Sequence, residues 1–323
     1  MSGRISVVIA AYHGEKYLPG QLRSIFAQSR PPDEIVIGDD SEDAGTQEVV
    51  EALRGEFRGQ LRYFRNSLRL GVIDNFIKVA HMATGDYVFL SDQDDWWLPE
   101  KIEKLAGLLE GRGERWQLAG CNSEVVNAEL VSSGTHLYSH LPPELLEELA
   151  REAKFSLEVY PRFTIFGHNI CMRRSFVRYF ERVGKFFPHD CWLSQISSAL
   201  GVQLYLNEKL TLYRVHSGNT SAPPPEVHRA GVLERMRQIM AEPGDIEKTF
   251  CMIEALNEFV QNTPGVPEEN RRCMAESAHY FRGRKRMRAL PRGLRWLGLT
   301  PSLLRGYFQT GNGWRPLARD LFL

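Results

Sequence analysis

Hydrophobic and polar positions along the first hundred residues predict strands and helices in turn. Four short runs are almost continuously apolar and rich in β-branched residues: residues 5–12, 33–40, 61–66 and 86–92. Such runs are typical of strands buried on both faces of a parallel sheet. The segments between them, residues 15–29, 46–57 and 71–85, have apolar residues at helical spacing, and Gly85 is expected to close the last helix. This alternation predicts a parallel sheet with right-handed crossovers.

Acidic residues stand where these strands are expected to end. Asp39 and Asp40 close the second strand, and Asp92 and Asp94 follow the fourth. Clustered carboxylates are unusual at the end of a buried strand, because burying a charge without a partner is costly. Ligands of open parallel sheets bind at the carboxyl ends of the strands. We therefore expect a ligand site at this edge, formed by these acids and by Tyr12, which follows the first strand.

The segment after the first strand lacks a glycine-rich phosphate loop. Its sequence, AYHGEKYLPG, matches neither GxGxxG nor GxxxxGK[ST], which argues against a Rossmann dehydrogenase and a P-loop nucleoside triphosphatase. A nucleoside diphosphate at this edge would need its charge neutralised in another way. A carboxylate pair that holds Mg²⁺ or Mn²⁺ would serve, since these ions are bound by one or two carboxylates together with phosphates and water.

Composition narrows the class of protein further. The chain has 323 residues, 43% hydrophobic and 25% charged, with 40 basic and 40 acidic residues, so a large core is expected and net charge indicates no partner. The five cysteines include no CxxC pair, which favours free thiols in a reducing compartment over a zinc site. No signal peptide is recognised at the N-terminus, and no run of about 18 apolar residues predicts a membrane-spanning helix.

Several blocks of the sequence resemble glycosyltransferase family 2, whose members have the GT-A fold and transfer a sugar with inversion at its anomeric carbon. The blocks of the first half are ISVVIAAYHGEKYLPGQLRSIFAQS, DEIVIGDDSEDAGT, NSLRLGVIDNF and GDYVFLSDQDDWWLPEKI. Further on, GHNICMRRSF, FPHDCWLSQISSALG and LTLYRVHSGNTS resemble the acceptor half of the bacterial rhamnosyltransferase branch. The resemblance covers roughly residues 4–221 and depends on the order of the blocks, because an isolated DxD pair is a weak signal.

The resemblance implies an α/β chain with a Rossmann-like, mainly parallel sheet, flanking helices and a helical C-terminal region. Residues 1–221 would form the GT-A catalytic domain, with a nucleotide-sugar half at 1–110 and an acceptor half at 111–221, and residues 222–323 the helical region. In the nucleotide half, Tyr12 would pack near the base and Asp40 would bind the base imide. Asp39 would shape the same rim.

The resemblance also implies roles in the chemistry of transfer. Asp92 and Asp94 fall on the DxD positions, and Asp94 is the stronger candidate for direct contact with Mg²⁺ or Mn²⁺. Asp190 falls on the catalytic base, which would take the proton of the acceptor hydroxyl. His216 lies in a block near the diphosphate, where a loop hydrogen bond is an equal alternative. One base opposite the leaving group corresponds to a single displacement with inversion.

Some of these residues have a structural alternative. Asp39 and Asp40 could cap the segment that follows, since Asp is favoured in turns and at helix N-caps. Asp95 is interpreted as the cap of the next helix, with Pro99 in its first turn.

Other aromatic and histidine side chains receive weaker interpretations. Trp96 and Trp97 are interpreted as packing residues rather than platforms for a sugar. His189 could orient Asp190. No role is assigned to five further histidines: His13, His81, His136, His140 and His168.

The function predicted from these features is transfer of a sugar from a nucleoside diphosphate to a hydroxyl of a cell-envelope glycan, such as lipopolysaccharide or O-antigen. The favoured donor is dTDP-L-rhamnose, on the likeness of SDQDDWWLP, PHDCW and YRVHSGN to rhamnosyltransferases. A UDP-hexose donor is one alternative. A non-catalytic sugar-nucleotide-binding protein of the same fold is another.

The C-terminal region has a distinct composition. Residues 221–231 are interpreted as a stiff proline-rich linker. Ten basic residues lie between Arg271 and Arg305, opposed within that segment only by Glu276, and Trp296, Leu297 and Phe308 are interleaved with them or follow them. Basic clusters with Trp and Leu suit an anionic membrane surface. We expect a cytoplasmic protein held at the inner face of the plasma membrane, without a nucleic-acid partner. A solvated helical face is the alternative.

Overall fold

A computed structural model describes residues 2–151, 163–181, 188–219, 246–309, 317 and 320–321. These residues form one nine-stranded sheet in the order β3-β2-β1-β4-β8-β6-β9-β5, with β7 paired to β6. The first half contains β1 (Ile5–Ala11), α1 (Leu18–Phe26), β2 (Glu34–Asp39), α2 (Gly45–Leu53), β3 (Gln60–Arg65), α3 (Val72–Met82) and β4 (Tyr87–Ser91). Strands β3, β2, β1 and β4 pair in parallel, so the predicted alternation of strands and helices is confirmed.

One predicted boundary is wrong. Helix α3 ends at Met82, because Ala83 is extended, with ψ at 140°. Gly85 lies beyond the helix, where a Cβ atom would stand 2.8 Å from the amide nitrogen of Ser6. This glycine therefore allows the chain to pass close to β1 as β4 begins, and it does not cap the helix.

The second half extends the sheet with mixed pairing. Its elements are β5 (Trp96–Trp97), α4 (Lys101–Arg112), β6 (Leu118–Val126), β7 (Ser132–His136), α5 (Pro143–Arg151), β8 (Ile170–Arg173), α6 (His189–Ala199) and β9 (Gln203–Arg214). Strand β8 is antiparallel to β4 and β6, and β9 is parallel to β6. The short β5 pairs antiparallel with the end of β9, with Trp96 opposite Leu212. This pairing brings the segment after β4 beside the end of β9.

Among the C-terminal residues that the structure describes, three helices follow: α7 (Ile246–Asn262), α8 (Glu268–Arg288) and α9 (Pro301–Gln309), with a 3₁₀ segment at Arg292–Gly298. They share one hydrophobic core with the sheet, since Leu256, Met274 and Tyr307 belong to the same buried cluster as Val88. Phe259 of α7 packs edge-on against Trp192 of α6, with ring centroids 5.3 Å apart. The predicted linker and domain boundary near residue 221 lie outside the described residues.

Most of the basic C-terminal cluster is engaged within the fold. Lys285 pairs with Glu247 and Arg282 with Glu254, while Arg271 donates to backbone carbonyls at the end of α7. The buried Asp320 accepts from a second group, which consists of Arg284, Arg288 and Arg295. Glu276 is the only acid within the segment, but acids from outside it, namely Glu247, Glu254 and Asp320, fold against these charges.

Five large apolar side chains of the 3₁₀ segment and of α9 are exposed. We call these five residues the apolar patch: Leu294, Trp296, Leu297, Leu304 and Phe308. Trp296 is 61% exposed and Leu297 is 58% exposed. Arg292 and Arg305 on the same elements are exposed as well. Among the described helices, none has an apolar stretch long enough to cross a bilayer.

Candidate functional site

The acidic loop after β4 is held by the end of β9. The backbone N–H of Arg214 donates to Oδ1 of Asp95 at 3.0 Å, and the Arg214 guanidinium donates to the carbonyl of Asp94 at 2.7 Å. Asp95 therefore anchors the loop to β9. It does not cap α4, which begins at Lys101 after Glu100 without a side-chain cap, so the capping interpretation of Asp95 is wrong.

Asp94 faces His216, which follows β9. Oδ2 of Asp94 and Nε2 of His216 lie 2.9 Å apart, and both side chains remain partly accessible, at 15% and 13%. The His216 ring packs against Tyr17, with centroids 4.5 Å apart, and the backbone N–H of His216 donates to Oδ1 of Asn219 at 2.6 Å. A carboxylate and an imidazole are thus held side by side at the edge where β4 and β9 end.

Asp92 and Asp95 face a different histidine. Nδ1 of the buried His168 lies 3.5 Å from Oδ2 of Asp92 and 3.8 Å from Oδ2 of Asp95. These three ligand atoms lie within 4.8 Å of one another. Oδ2 of Asp95 is buried and has no hydrogen-bond partner among the described residues. The loop therefore presents three carboxylates, each within reach of an imidazole or a backbone donor.

The electrostatics of this loop favour a bound cation. Burial raises the pKa of Asp95, and the neighbouring carboxylates raise it further against the opposing effect of His168. Burial and the charge of Asp92 raise the pKa of Asp94. Crowded carboxylates disfavour one another's ionised form, and a divalent cation would relieve that repulsion. Asp92, Asp95 and His168 have converging ligand atoms, and Asp94 and His216 form a second pair of donors at the same loop. These oxygen and imidazole donors suit Mn²⁺, so the residues present fit a metal site.

Asp190 begins the second part of the site, in the first turn of α6. Its Oδ1 accepts from the N–H of Cys191 at 2.8 Å, and its Oδ2 accepts from the N–H of Gly167 at 3.2 Å. The next residue after Gly167 is His168, which contacts the DxD loop. The side chains of Asp190 and Asp92 are therefore brought to the same part of the sheet by two adjacent residues.

His189 does not have the environment expected of a residue that orients Asp190. Its ring lies near Phe76 and Phe180, with centroids 4.7 Å and 5.6 Å away. Its Nε2 has no hydrogen-bond partner among the described residues. Its contacts are those of a packing residue beneath the N-terminus of α6.

The ends of β1 and β2 form the other edge of the site. Asp40 accepts from the N–H groups of Leu70 and Gly71 at 3.0 Å and 2.8 Å, and so orders the loop after β3. Asp39 is fully buried and accepts from Ser41 and from the Tyr63 hydroxyl at 2.6 Å. Neither acid caps α2, whose N-cap residue is Ala44 without a side-chain bond.

Tyr12 is tied to both edges of the site. The Arg69 guanidinium lies 3.9 Å from the centroid of its ring. The Gln93 side chain accepts from the Tyr12 N–H and donates to its carbonyl, each at 2.9 Å. Because Gln93 lies between the two acids of the DxD, these bonds fix the end of β1 against the acidic loop.

Sequence reasoning missed three residues of this neighbourhood. Arg214 and His168 both fall inside the blocks quoted for the family resemblance, so a signal existed for them. The third, Lys101, is fully buried, donates to the His168 carbonyl and to Thr211 at 2.6 Å each, and lies over the Trp97 ring. A lysine at the start of an amphipathic helix gives no sign of burial. Trp97 itself is 1% exposed, so its interpretation as a packing residue is confirmed.

The sheet order, the mixed half and the acidic loop define a GT-A fold. Similar folds occur in the S. aureus protein TarS 1–349 in complex with UDP-GlcNAc, at 18% identity, a TM-score of 0.55, and coverage of 97% of this chain and 89% of that one. The mannosyltransferase PcManGT from Pyrobaculum calidifontis, in complex with GDP-Man and Mn²⁺, matches at 14% identity and a TM-score of 0.56, covering 99% and 84%.

The chain belongs to glycosyl transferase family 2, whose model matches residues 6–179. Among its sequence relatives is the abequosyltransferase RfbV of Salmonella typhimurium, 29% identical over 129 residues, which are 39% of this chain and 38% of RfbV. The chain spans less than half the length of the sequence relatives that it matches.

Proposed function

We propose that this protein is an inverting glycosyltransferase that moves a sugar from a nucleoside diphosphate to a hydroxyl of a cell-envelope glycan. One observation carries the proposal: Gly167 and His168, adjacent in sequence, contact the Asp190 carboxylate on one side and the DxD acid Asp92 on the other. A base candidate and a diphosphate-binding acid are thus neighbours in space. Membership of the family supports the same reaction type.

Asp190 is the proposed general base. The acceptor hydroxyl attacks the anomeric carbon, its proton passes to a carboxylate oxygen of Asp190, and the bond from the anomeric carbon to the diphosphate oxygen breaks. The nucleoside diphosphate leaves with that electron pair. Attack opposite the leaving group inverts the anomeric centre, and a single carboxylate suffices for it. The two backbone bonds that Asp190 accepts hold its carboxylate in a fixed orientation.

Asp92, Asp94 and His216 are proposed to hold a divalent cation, and Mn²⁺ or Mg²⁺ fits their donor atoms. Bound there, the cation would supply electrostatic stabilisation of the leaving diphosphate. Mn²⁺ appears in the complex of the fold neighbour PcManGT, which agrees with this assignment. Tyr12, Asp39 and Asp40 would then border the nucleoside, with the Tyr12 ring backed by Arg69.

The proposed donor is dTDP-L-rhamnose, and a UDP-hexose is the alternative. The first choice rests on the resemblance of the acceptor-half blocks to rhamnosyltransferases. The relatives and fold neighbours bear names with different sugars, namely abequose, GlcNAc and mannose, so they support a nucleotide-sugar donor without selecting one.

We also propose attachment of the C-terminal region to an anionic membrane surface, where a lipid-linked acceptor would be found. The apolar patch supports this, because Trp296, Leu297 and Phe308 are exposed beside the exposed cations Arg292 and Arg305. Aromatic and aliphatic side chains flanked by Arg are typical of interfacial attachment. The cations paired with acids inside the fold would contribute little.

Donor turnover and donor binding test the proposed function together. The protein would be incubated with Mn²⁺, a cell-envelope glycan extract as acceptor, and each of dTDP-L-rhamnose, UDP-glucose, UDP-GlcNAc and GDP-mannose, with release of the nucleoside diphosphate as the measurement. In thermal unfolding, the true donor at a hundredfold its Kd should stabilise the fold by about 2.7 kcal/mol. We expect dTDP-L-rhamnose to give both effects. A UDP-sugar that does so would replace it as donor, and binding without turnover of any donor would favour the non-catalytic alternative.

A further inference from the structure

The segment Gly167–Asn169 is a single 3₁₀ turn between the two chemically distinct parts of the site. The N–H of Gly167 donates to Oδ2 of Asp190 at 3.2 Å. In the next residue, Nδ1 of His168 lies 3.5 Å from Asp92 and 3.8 Å from Asp95. The backbone N–H of Gly167 and the imidazole of His168 therefore connect the base candidate, Asp190, to the acidic loop.

The His168 ring is fixed in orientation. It is 2% exposed and stacks on Tyr213, with centroids 5.0 Å apart and ring planes 13° from parallel. Its Nε2 lies 3.1 Å from the Ser123 hydroxyl, which also accepts from the Asn169 amide at 2.7 Å. Because the Ser123 hydroxyl can donate to Nε2, the ring can carry its proton on Nδ1, where it faces the two carboxylates.

The backbone of this turn is fixed as well. The buried Lys101 ammonium donates to the His168 carbonyl and to the Thr211 hydroxyl, both at 2.6 Å. Thr211 donates in turn to the Asn169 side-chain oxygen at 2.9 Å. The turn is thus attached to α4 and β9 as well as to β6, through Ser123. Few conformations of the His168 side chain are compatible with so many contacts.

Added bulk would be crowded on the Asp190 side of the turn. A Cβ atom at Gly167 would stand 3.0 Å from Nε2 of His189 and 3.6 Å from Cβ of Asp190. A side chain there would press on the first turn of α6. The backbone of the turn can therefore approach the base candidate closely because residue 167 is glycine.

We propose that His168 is a positioning residue, which donates from Nδ1 to Asp92 and lies beside Asp95, and so sets the place of the acidic loop relative to Asp190. The proposal deepens the function proposed above and rests on it. His168 acts through the metal-binding carboxylates and touches neither donor nor acceptor. Outer-shell donors of this kind orient carboxylate ligands, and losing one typically weakens metal affinity about 10–100-fold.

Two substitutions of similar size separate positioning from packing. In His168→Asn the amide nitrogen can occupy the place of Nδ1, whereas in His168→Gln it reaches toward the place of Nε2. The affinity for Mn²⁺ would be measured by electron paramagnetic resonance, with MnCl₂ alone and with MnCl₂ plus UDP. We expect His168→Gln to weaken Mn²⁺ binding about 10–100-fold and His168→Asn to stay close to the wild type. His81→Gln, at an exposed histidine of α3 whose Nε2 lies 3.0 Å from the Phe180 carbonyl oxygen, is the control.

An equal loss of Mn²⁺ affinity in both variants would mean that His168 acts only through packing. Unchanged affinity in both would mean that its contact with Asp92 does not affect Mn²⁺ binding. Either result overturns the proposal. Absence of Mn²⁺ binding by the wild-type protein overturns it too, while the proposed transfer reaction is judged separately by donor turnover. If the Gln variant does not fold, Ser123→Ala provides the second test, because loss of the Ser123 hydroxyl removes the partner of Nε2 and should weaken Mn²⁺ binding in a protein that still folds. Unchanged affinity in Ser123→Ala would count against the proposal.

Discussion

Oδ2 of Asp94 and Nε2 of His216 lie 2.9 Å apart, although 122 residues separate them along the chain. The contact exists because β5 and β9 pair side by side and Arg214 holds the loop between β4 and β5. Two groups that share one metal ion would be held at about this separation. The pair thus connects the first half of the sheet to its last strand at the point where a diphosphate would bind.

Removal of the metal is expected to abolish donor turnover. EDTA should abolish release of the nucleoside diphosphate, because the leaving diphosphate would lose its electrostatic partner. Added Mn²⁺ should restore the release. Asp94→Ala should lower turnover at least about a hundredfold, with an unfolding temperature near that of the wild type. Glu269→Gln, at an exposed acid of α8, is the matched control and should behave as the wild type. Full activity in chelator would exclude a metal-assisted reaction.

Loss of the proposed base should separate binding from chemistry. Asp190→Asn keeps the size of the side chain but cannot accept the acceptor's proton, so we expect kcat to fall about 10²–10⁴-fold with KM for the donor little changed. In this variant one of the backbone N–H donors, of Gly167 or of Cys191, would face an amide NH₂ and would lose its acceptor. The thermal unfolding of this variant should therefore be measured together with its kinetics. Near-normal turnover in a folded Asp190→Asn protein would remove Asp190 from the mechanism.

Membrane attachment should depend on the apolar patch. Deleting the whole segment from residue 271 would be uninformative, because Met274 and Phe281 are part of the core. The double substitution Trp296→Ser and Leu297→Ser removes exposed side chains only. It should weaken co-sedimentation with phosphatidylglycerol vesicles about tenfold or more, since each side chain buries apolar area at the interface.

The control for this experiment is Leu68→Ser, which removes a leucine that is 78% exposed in the first half of the chain. It should bind vesicles as the wild type does. Salt should weaken attachment, because exposed charges are screened. Equal partitioning of the wild type to phosphatidylglycerol and phosphatidylcholine vesicles would indicate that the apolar patch is an ordinary solvated surface.

Asp320 should stabilise the C-terminal region in a pH-dependent way. It is fully buried and accepts from Arg284, Arg288 and the Tyr307 hydroxyl. Burial alone would raise the pKa of Asp320, but these hydrogen bonds and the Arg284 charge hold it below the usual value. Asp320→Asn should lower the free energy of unfolding at pH 7 by about 3–5 kcal/mol, because the buried Arg284 loses its counter-ion.

The pH dependence follows from that lowered pKa. Stabilisation by Asp320 is complete above the unfolded-state pKa of about 3.9 and is lost as pH falls through the lower folded-state value. The difference between the wild type and Asp320→Asn should therefore shrink below about pH 4. Glu247→Gln, which breaks an exposed pair with Lys285, should cost no more than about 1 kcal/mol. A small, pH-independent effect of Asp320→Asn would contradict this account.

Local signals in the sequence were sufficient for the parallel half of the fold. The four apolar runs, the helical segments between them and the acids that follow β2 and β4 can each be recognised within a short window. The predicted boundary at Gly85 is wrong because a glycine after a helix is usually a cap, whereas Gly85 makes room for the backbone of β1. The role of Gly85 depends on its approach to β1, about eighty residues earlier in the chain, and no local sequence pattern indicates that approach.

Long-range contacts explain what sequence reasoning missed in the site. The closeness of Asp95 to the start of α4 suggests a helix cap, but its partner is the backbone N–H of Arg214 on β9. His168 and Lys101 have no distinctive neighbours in sequence, and their significance comes from burial against Asp92, Asp95 and Thr211. The pairing of β5 with β9 created these contacts. A two-residue strand carries too little pattern to be predicted.

The position of β9 in the sheet has a consequence for synthesis of the chain on the ribosome. Strand β9 lies between β6 and β5, and its residues Arg214 and Thr211 hold the acidic loop and the His168 turn. The parallel half, β1 to β4, can emerge and pair while β9 is still unmade, because domains begin to fold from the N-terminal side. The acidic loop, however, gains its supports only after residue 216 has left the exit tunnel. A nascent or truncated chain that stops earlier would thus contain the nucleotide-side strands without an ordered metal site, and catalytic competence would arise late, in a single closing step.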